Sequence, residues 1–144
     1  MRSKAPLALM EQLVMVLVFA LAAALCVQAF ALSDRLSRQN EIEDHALLQA
    51  QNAAETLKSL RGDGAQAADS YGGTWDGTTW RICLDETWQQ SREASAYCVT
   101  VTPQTGDLPL LGEATVTVTD AAGKTLATLP VAWQRETGKE TDHA

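Results

Sequence analysis

The sequence predicts an α+β protein in which one long N-terminal helix, transmembrane in its first half, packs under a small four-stranded antiparallel sheet. Three observations predict this fold: an uncharged apolar run at residues 13–32, helical spacing of apolar residues up to residue 61, and four alternating segments beyond it. The 144 residues divide into a leader-like segment (1–6), a transmembrane helix (7–33), its amphipathic continuation (34–61), an antiparallel β domain (62–134) and a polar tail (135–144).

The run at residues 13–32 predicts a single membrane span. As a helix it would rise about 30 Å, the hydrocarbon thickness of a bilayer. Arg2 and Lys4 precede it closely, so we expect a cytoplasmic N-terminus and an extracytoplasmic C-terminal domain. A cleavable secretory signal is the alternative, because a small-x-small site ending at Ala31 would release a secreted domain.

The charge distribution limits the classes of partner. Residues 1–33 carry Arg2, Lys4 and Glu11, whereas the remaining 111 residues carry nine Lys/Arg and seventeen Asp/Glu and give the chain its net charge of −7. Because phosphate binding needs clustered basic residues, we expect no nucleic-acid partner. The sequence shows no zinc-type Cys/His spacing, phosphate-binding loop or hydrolase motif. We therefore expect a protein without a cofactor, a metal site or enzymatic activity.

The helix is expected to continue beyond the span with one apolar face. No Pro or Gly interrupts residues 7–61, and Gly62 and Gly64 then provide a strong stop. The apolar stripe consists of Leu36, Ile42, Ala46, Ala50, Ala53, Leu57 and Leu60. Such a face needs a cover, which the C-terminal segments can supply.

Four segments read as strands: residues 79–84, 97–102, 114–119 and 125–133. Their alternation is typical of a sheet with a Thr-rich wet face and a Val/Trp/Tyr face on the helix. Pro130 places the last strand at an edge, because proline cannot donate to a ladder. Residues 75–78 read as a tight turn that leads into the first strand.

The cysteines suggest a register for the first two strands. Pairing Cys83 with Cys98 in an antiparallel ladder also aligns Leu84 with Tyr97, Ile82 with Val99 and Trp80 with Val101. A directly opposed pair has about the separation that a disulfide tolerates, and export would permit the bond. We therefore expect a Cys83–Cys98 disulfide; two unrelated thiols on a wet face are the alternative.

The four tryptophans have different expected roles. Core packing is expected for Trp80 and Trp133, from their strand positions. Trp88 lies in the loop between the two cysteines, and we expect it to be the most exposed of the four and a candidate partner contact.

The N-terminal half resembles the type IV pilin and pseudopilin family. The similarity lies in a basic leader, an apolar stretch at residues 7–32 that opens with a single glutamate, Glu11, and residues 50–58, which are similar to the helix of minor pseudopilins. It covers residues 1–61 by pattern and the remainder by architecture.

The resemblance implies a mechanism of assembly. In the family, a prepilin peptidase removes the leader, the new N-terminus is methylated, and the glutamate at the fifth mature position pairs with the N-terminal amine of a neighbouring subunit. That role would fall on Glu11. Cleavage after Pro6 would make Leu7 the first residue and Glu11 the fifth, whereas cleavage after Ala5 would make Glu11 the sixth; neither site carries the family's usual glycine.

The expected function is therefore that of a structural subunit, similar to a minor pilin or pseudopilin, of a cell-surface filament or of a type II secretion, type IV pilus or DNA-uptake machine. Its partners would be other pilin-like subunits, bound through the apolar helix, and the membrane. The alternatives are an anchored extracytoplasmic binding module that does not polymerise, with Trp88 as its contact, and the secreted domain released after Ala31.

Overall fold

The computed structural model describes residues 5–93 and 95–135, and it confirms an α+β fold with one long apolar N-terminal helix and an antiparallel sheet. Residues 1–4, with the expected basic leader charges, and most of the expected polar tail lie outside the described residues. The chain divides after Glu41 into two compact units. The elements are α1 (Ala5–Ser59), α2 (Gly64–Tyr71), β1 (Thr74–Trp75), β2 (Trp80–Leu84), β3 (Tyr97–Gln104), β4 (Leu111–Asp120) and β5 (Thr125–Gln134).

The first unit contains the N-terminal part of α1, and every side chain from residue 5 to residue 41 is exposed. By length and composition α1 is apolar enough to cross a membrane. Phe19 and Phe30 are each 77% exposed. Because apolar surface in water costs about 25 cal/mol per Å², a segment this apolar requires lipid or other apolar protein around it.

The end of α1 is a Schellman motif. The Gly62 N–H donates to the Leu57 carbonyl at 2.8 Å, and the Arg61 N–H donates to the Lys58 carbonyl at 3.0 Å. Arg61 takes φ 55° and Gly62 takes φ 86°, so the chain reverses in the left-handed region. The helix thus ends at Ser59, two residues before the expected end, and the short helix α2 follows. Asp63 caps α2 by accepting the Gln66 N–H at 3.0 Å.

The second unit begins at Ile42 and contains the hydrophobic core. The helix contributes mainly small side chains: Ala46, Ala50 and Ala53 are all 0% exposed. They pack in one cluster with Trp80, Ile82, Leu84, Val99, Val101, Val116, Val118 and others. Small residues allow the helix to lie close to the sheet, so, apart from Leu57, the large side chains of the core come from the strands.

The sheet has five strands, in the order β1-β2-β3-β4-β5, and all neighbours are antiparallel. The prediction of four strands was wrong because β1, a two-residue strand, is too short to show alternation. It forms because the expected turn is built on Asp76, whose Oδ1 accepts the N–H groups of Thr78 and Thr79 at 2.8 and 2.7 Å. This turn folds Trp75 back onto Trp80.

The expected register of the cysteine-bearing strands is confirmed. Cys83 pairs with Cys98, and Trp80, Ile82 and Leu84 pair with Val101, Val99 and Tyr97. Trp80 is fully buried, and its indole N–H donates to the Gly72 carbonyl at 2.8 Å. Pro130 lies on β5, which forms an edge of the sheet.

Two glycines make room for Trp133. A Cβ atom placed on Gly112, its direct partner across β4 and β5, would lie 2.3 Å from the indole ring. A Cβ atom on Gly62 would lie 2.1 Å from the same ring. Trp133 therefore packs where α1 ends and fastens that end of the helix to the edge strand.

Candidate functional site

The residues of the expected assembly site lie together in the first turns of α1. Ala5, Pro6, Leu7 and Glu11 are all helical and exposed. Proline suits this position because the first N–H groups of a helix have no intrahelical partner. Among the described residues, none donates a hydrogen bond to the Glu11 carboxylate. Nothing within the described part of this single chain therefore compensates the charge of Glu11 at the start of the apolar run.

The two cysteines face each other on the outer side of the sheet. Their Sγ atoms are 3.4 Å apart, in thiol contact, and both side chains are half-buried. The expected disulfide is not present, because a bonded pair lies at about 2.05 Å. The Cys83 carbonyl accepts the Ser91 N–H at 3.0 Å, on the side away from β3. Cys83 and Cys98 therefore form a non-hydrogen-bonded pair, the type in which cross-strand side chains come closest.

Burial first, and then the hydrogen bond and charge of the adjacent Cys83 thiol, raise the pKa of the Cys98 thiol to about 11, against the opposite effect of Arg81. Burial disfavours a charged thiolate, and a second thiol nearby adds to this effect. Cys98 is therefore a weak nucleophile at neutral pH while both thiols are reduced.

Trp88 is not freely exposed; it is half-buried in a stack of three rings. Its indole is parallel to the Tyr97 ring, with centroids 3.9 Å apart and an angle of 4° between the planes. The His45 ring lies 5.6 Å away from the Trp88 ring at 20°. The stack joins α1 to the end of β3. Trp88, the expected partner contact, therefore uses its aromatic faces for contacts with Tyr97 and His45 within the fold.

The loop that carries Trp88 is organised by Asp85. The Asp85 Oδ1 accepts the Thr87 hydroxyl at 2.7 Å and the backbone N–H groups of Thr87 and Gln89 at 2.8 and 3.0 Å. The Thr87 hydroxyl and these N–H groups lower the pKa of the Asp85 carboxyl. The loop holds Trp88 at φ 63°, a left-handed conformation that costs a non-glycine residue about 1–2 kcal/mol.

Sequence reasoning missed the partners of Trp88. The strand register could have indicated Tyr97 as a partner of Trp88, because Leu84 and Tyr97 are paired and the intervening loop must return over that end of the sheet. No sequence signal indicated His45, since it comes from a helix far away in the chain. No cluster of His, Cys, Asp and Glu able to hold a metal occurs among the described residues.

Comparison with known proteins adds no identification: no family model, curated protein or solved structure matches this chain.

Proposed function

We propose that this chain is a single-pass structural subunit, similar to a minor pilin or pseudopilin, of a filament or of a secretion, pilus or DNA-uptake machine. The observation that carries the proposal is the composition of α1: an exposed apolar segment that opens with one carboxylate, followed in the same helix by a face that packs under an antiparallel sheet. The subunit acts by packing, not by catalysis.

The proposed topology has the N-terminus in the cytoplasm and residues 34–144 outside. Its support is the pair of cations, Arg2 and Lys4, that precede the apolar run, because cytoplasmic flanks of membrane spans carry an excess of Lys and Arg. The acidic C-terminal part agrees with this arrangement, because anionic lipid surfaces do not attract it.

Glu11 would set the register between subunits. An unpaired carboxylate in a medium of low dielectric constant is costly, and an ammonium group on a neighbouring chain offsets the cost. Cleavage by a prepilin peptidase after Ala5 or Pro6 would give each chain a new N-terminal ammonium group, within two helical turns of its own Glu11. In the assembly, this ammonium group would pair with Glu11 of a neighbouring chain. The partners would be other pilin-like subunits in contact with the exposed apolar residues of α1.

The Cys83–Cys98 disulfide belongs to the same proposal. The two thiols already lie in contact at a non-hydrogen-bonded position, so a small side-chain movement suffices to form the bond. Outside the cytoplasm the bond would close a loop of sixteen residues and stabilise the sheet by about 3 kcal/mol.

The test combines the N-terminus with a variant of Glu11. We expect protein from native membranes to begin at Pro6 or Leu7 and to carry an N-methyl group, measured by intact and peptide mass. Two differently tagged copies should co-purify in mild detergent, and Glu11→Ala should reduce the co-purified fraction at least about tenfold, the loss of about 1.4 kcal/mol of contact energy. Glu41→Ala, an exposed carboxylate on the same helix, is the matched control and should have no effect.

Other outcomes would identify the alternatives. An intact Met1 with normal co-purification of Glu11→Ala would indicate a plain anchor and the binding module. A chain that begins at Leu32 and is found in the medium would indicate a secreted domain and would overturn the membrane proposal.

A further inference from the structure

The two thiols are not equivalent in their surroundings. Cys98 lies on β3 and has a cross-strand neighbour on both sides, Cys83 on β2 and Thr119 on β4. Cys83 has Cys98 on one side and the loop residue Ser91 on the other, because β1 stops short of Cys83 and the Ser91 N–H donates to the Cys83 carbonyl at 3.0 Å.

On the side away from Cys98, Cys83 borders an open groove. Its lining includes Asp69, Gly72, Arg81, Gln90 and Arg92 together with Cys83. The groove, Cys83, Cys98 and Thr119 thus follow one another across the sheet. Cys83 lines this groove and Cys98 does not, and the two sulfurs are 3.4 Å apart. We therefore expect a reagent that approaches along the groove to reach Cys83 before Cys98.

We propose that Cys83 is the entry thiol and Cys98 the resolving thiol when an extracytoplasmic thiol–disulfide oxidoreductase oxidises this pair. The proposal rests on the exported location in the proposed function, and it names the class of partner that would act on the pair.

The chemistry balances without another reactant. The Cys83 thiolate, formed by loss of its proton to solvent, attacks one sulfur of the oxidoreductase disulfide and releases the other sulfur as a thiolate. The Cys98 thiolate then attacks the Cys83 sulfur of the mixed disulfide and expels the oxidoreductase as a dithiol. The pair loses two electrons and two protons, the oxidoreductase disulfide gains two electrons, and its two thiolates take up two protons.

Attack at sulfur proceeds in line, so the leaving sulfur must lie opposite the attacking one. In the proposed order the leaving sulfur lies on the groove side of Cys83, and Cys98 attacks from the opposite side. In the reverse order the leaving sulfur would lie on the β4 side of Cys98, beside Thr119, which does not line the groove. The position of the groove therefore favours the first order.

The pKa of Cys98 supports this order. Besides burial, the contact with the Cys83 thiol raises the pKa of Cys98 to about 11. Once Cys83 is capped in a mixed disulfide, its thiol proton and charge no longer act on Cys98, while burial, the largest cause, still raises the pKa and Arg81 still lowers it. Capping Cys83 thus removes one of the causes that keep Cys98 protonated at the step where Cys98 must attack.

The experiment uses the full chain in detergent with Cys26→Ala as background and oxidised glutathione as the probe. Cys98→Ser leaves Cys83 alone, and Cys83→Ser leaves Cys98 alone. Intact mass gives the rate at which each variant acquires a glutathione adduct at pH 8. We expect the adduct on Cys83 to form at least about tenfold faster, and the background protein to proceed to an internal disulfide.

Two measurements keep the test independent of folding and of assembly. In concentrated urea the two rates should become equal within about twofold, which shows that the folded sheet creates the difference. Equal folded rates, or a faster Cys98, would overturn the proposal. The glutathione assay needs no second subunit. It can therefore succeed when co-purification of tagged copies fails, and co-purification can succeed when the glutathione assay fails.

Discussion

Replacement of Trp88 distinguishes a structural role from a partner contact. If the three-ring stack is structural, Trp88→Ala should destabilise the second unit even without any partner. A fully buried tryptophan removes about 150–250 Å² from water, and about 100 Å² is a conservative share for the half-buried Trp88. At about 25 cal/mol per Å² this corresponds to about 2.5 kcal/mol. The parallel stack on Tyr97 adds about 1 kcal/mol, so we expect a loss of about 3.5 kcal/mol.

The backbone at residue 88 gives a second, signed expectation. Alanine at φ 63° keeps the cost of the left-handed conformation, whereas glycine does not. Trp88→Gly should therefore be less destabilising than Trp88→Ala by about 1 kcal/mol, the reverse of the usual order for these two residues. Leu108→Ala, at a side chain that is 58% exposed, is the control and should change stability by less than about 0.5 kcal/mol.

Unfolding of the full chain by urea, in detergent, is monitored by far-ultraviolet circular dichroism. This signal is chosen so that loss of a tryptophan does not alter it. A double-mutant cycle with Tyr97→Ala should give a coupling of about 0.5–1.5 kcal/mol. A Trp88→Ala protein as stable as the wild type, with glycine no better than alanine, would refute the structural interpretation. The expected partner contact would then become the better explanation for this residue.

Three further predictions concern packing and pH. Ala50→Leu should cost about 1–3 kcal/mol in urea unfolding, because the side chain is fully buried against the sheet, while Gln51→Leu on the exposed face should cost under about 0.5 kcal/mol. Gly112→Ala should cost a similar 1–3 kcal/mol through its clash with Trp133, and most of this cost should vanish in a Trp133→Ala background. The pKa of the Asp85 carboxyl is lowered in the fold, so its interactions should stabilise the protein at pH values above its ordinary pKa of 3.8. This contribution should be lost as the pH falls further, and Asp85→Asn should flatten that part of a stability–pH profile.

The pairing of β2 with β3 could be predicted from the sequence for a specific physical reason. Side chains alternate along a strand, so a slip of one residue would place the apolar residues of one strand on the wet face. A slip of two residues would keep the faces but would separate Cys83 from Cys98 and leave Leu84 or Trp80 without an apolar partner in the expected strand. The register that pairs the cysteines avoids both, and the structure has that register. The edge position of Pro130 follows equally from its missing N–H.

The missed elements are those that depend on short or distant interactions. The helix α2 has eight residues and begins at Gly64, so it shows little periodicity; its cap on Asp63 and its buried Ala67 define it. The strand β1 exists because the Asp76 turn places two residues beside β2. The ring stack on Trp88 requires His45 from α1, and no local pattern specifies such a contact.

The candidate site at Glu11 differs from these cases, because none of the residues that the structure describes donates a hydrogen bond to its carboxylate. A helix that serves only as an anchor needs length and apolar surface, and residues 13–32 supply both without Glu11. A carboxylate at the edge of that surface adds nothing to anchoring and costs free energy wherever it enters the hydrocarbon. It becomes favourable only beside a cation, and a processed N-terminus of a neighbouring chain would provide one. Under the proposed function, substitution of Glu11, more than a change in the length or apolarity of α1, should therefore distinguish an assembling subunit from an anchored domain.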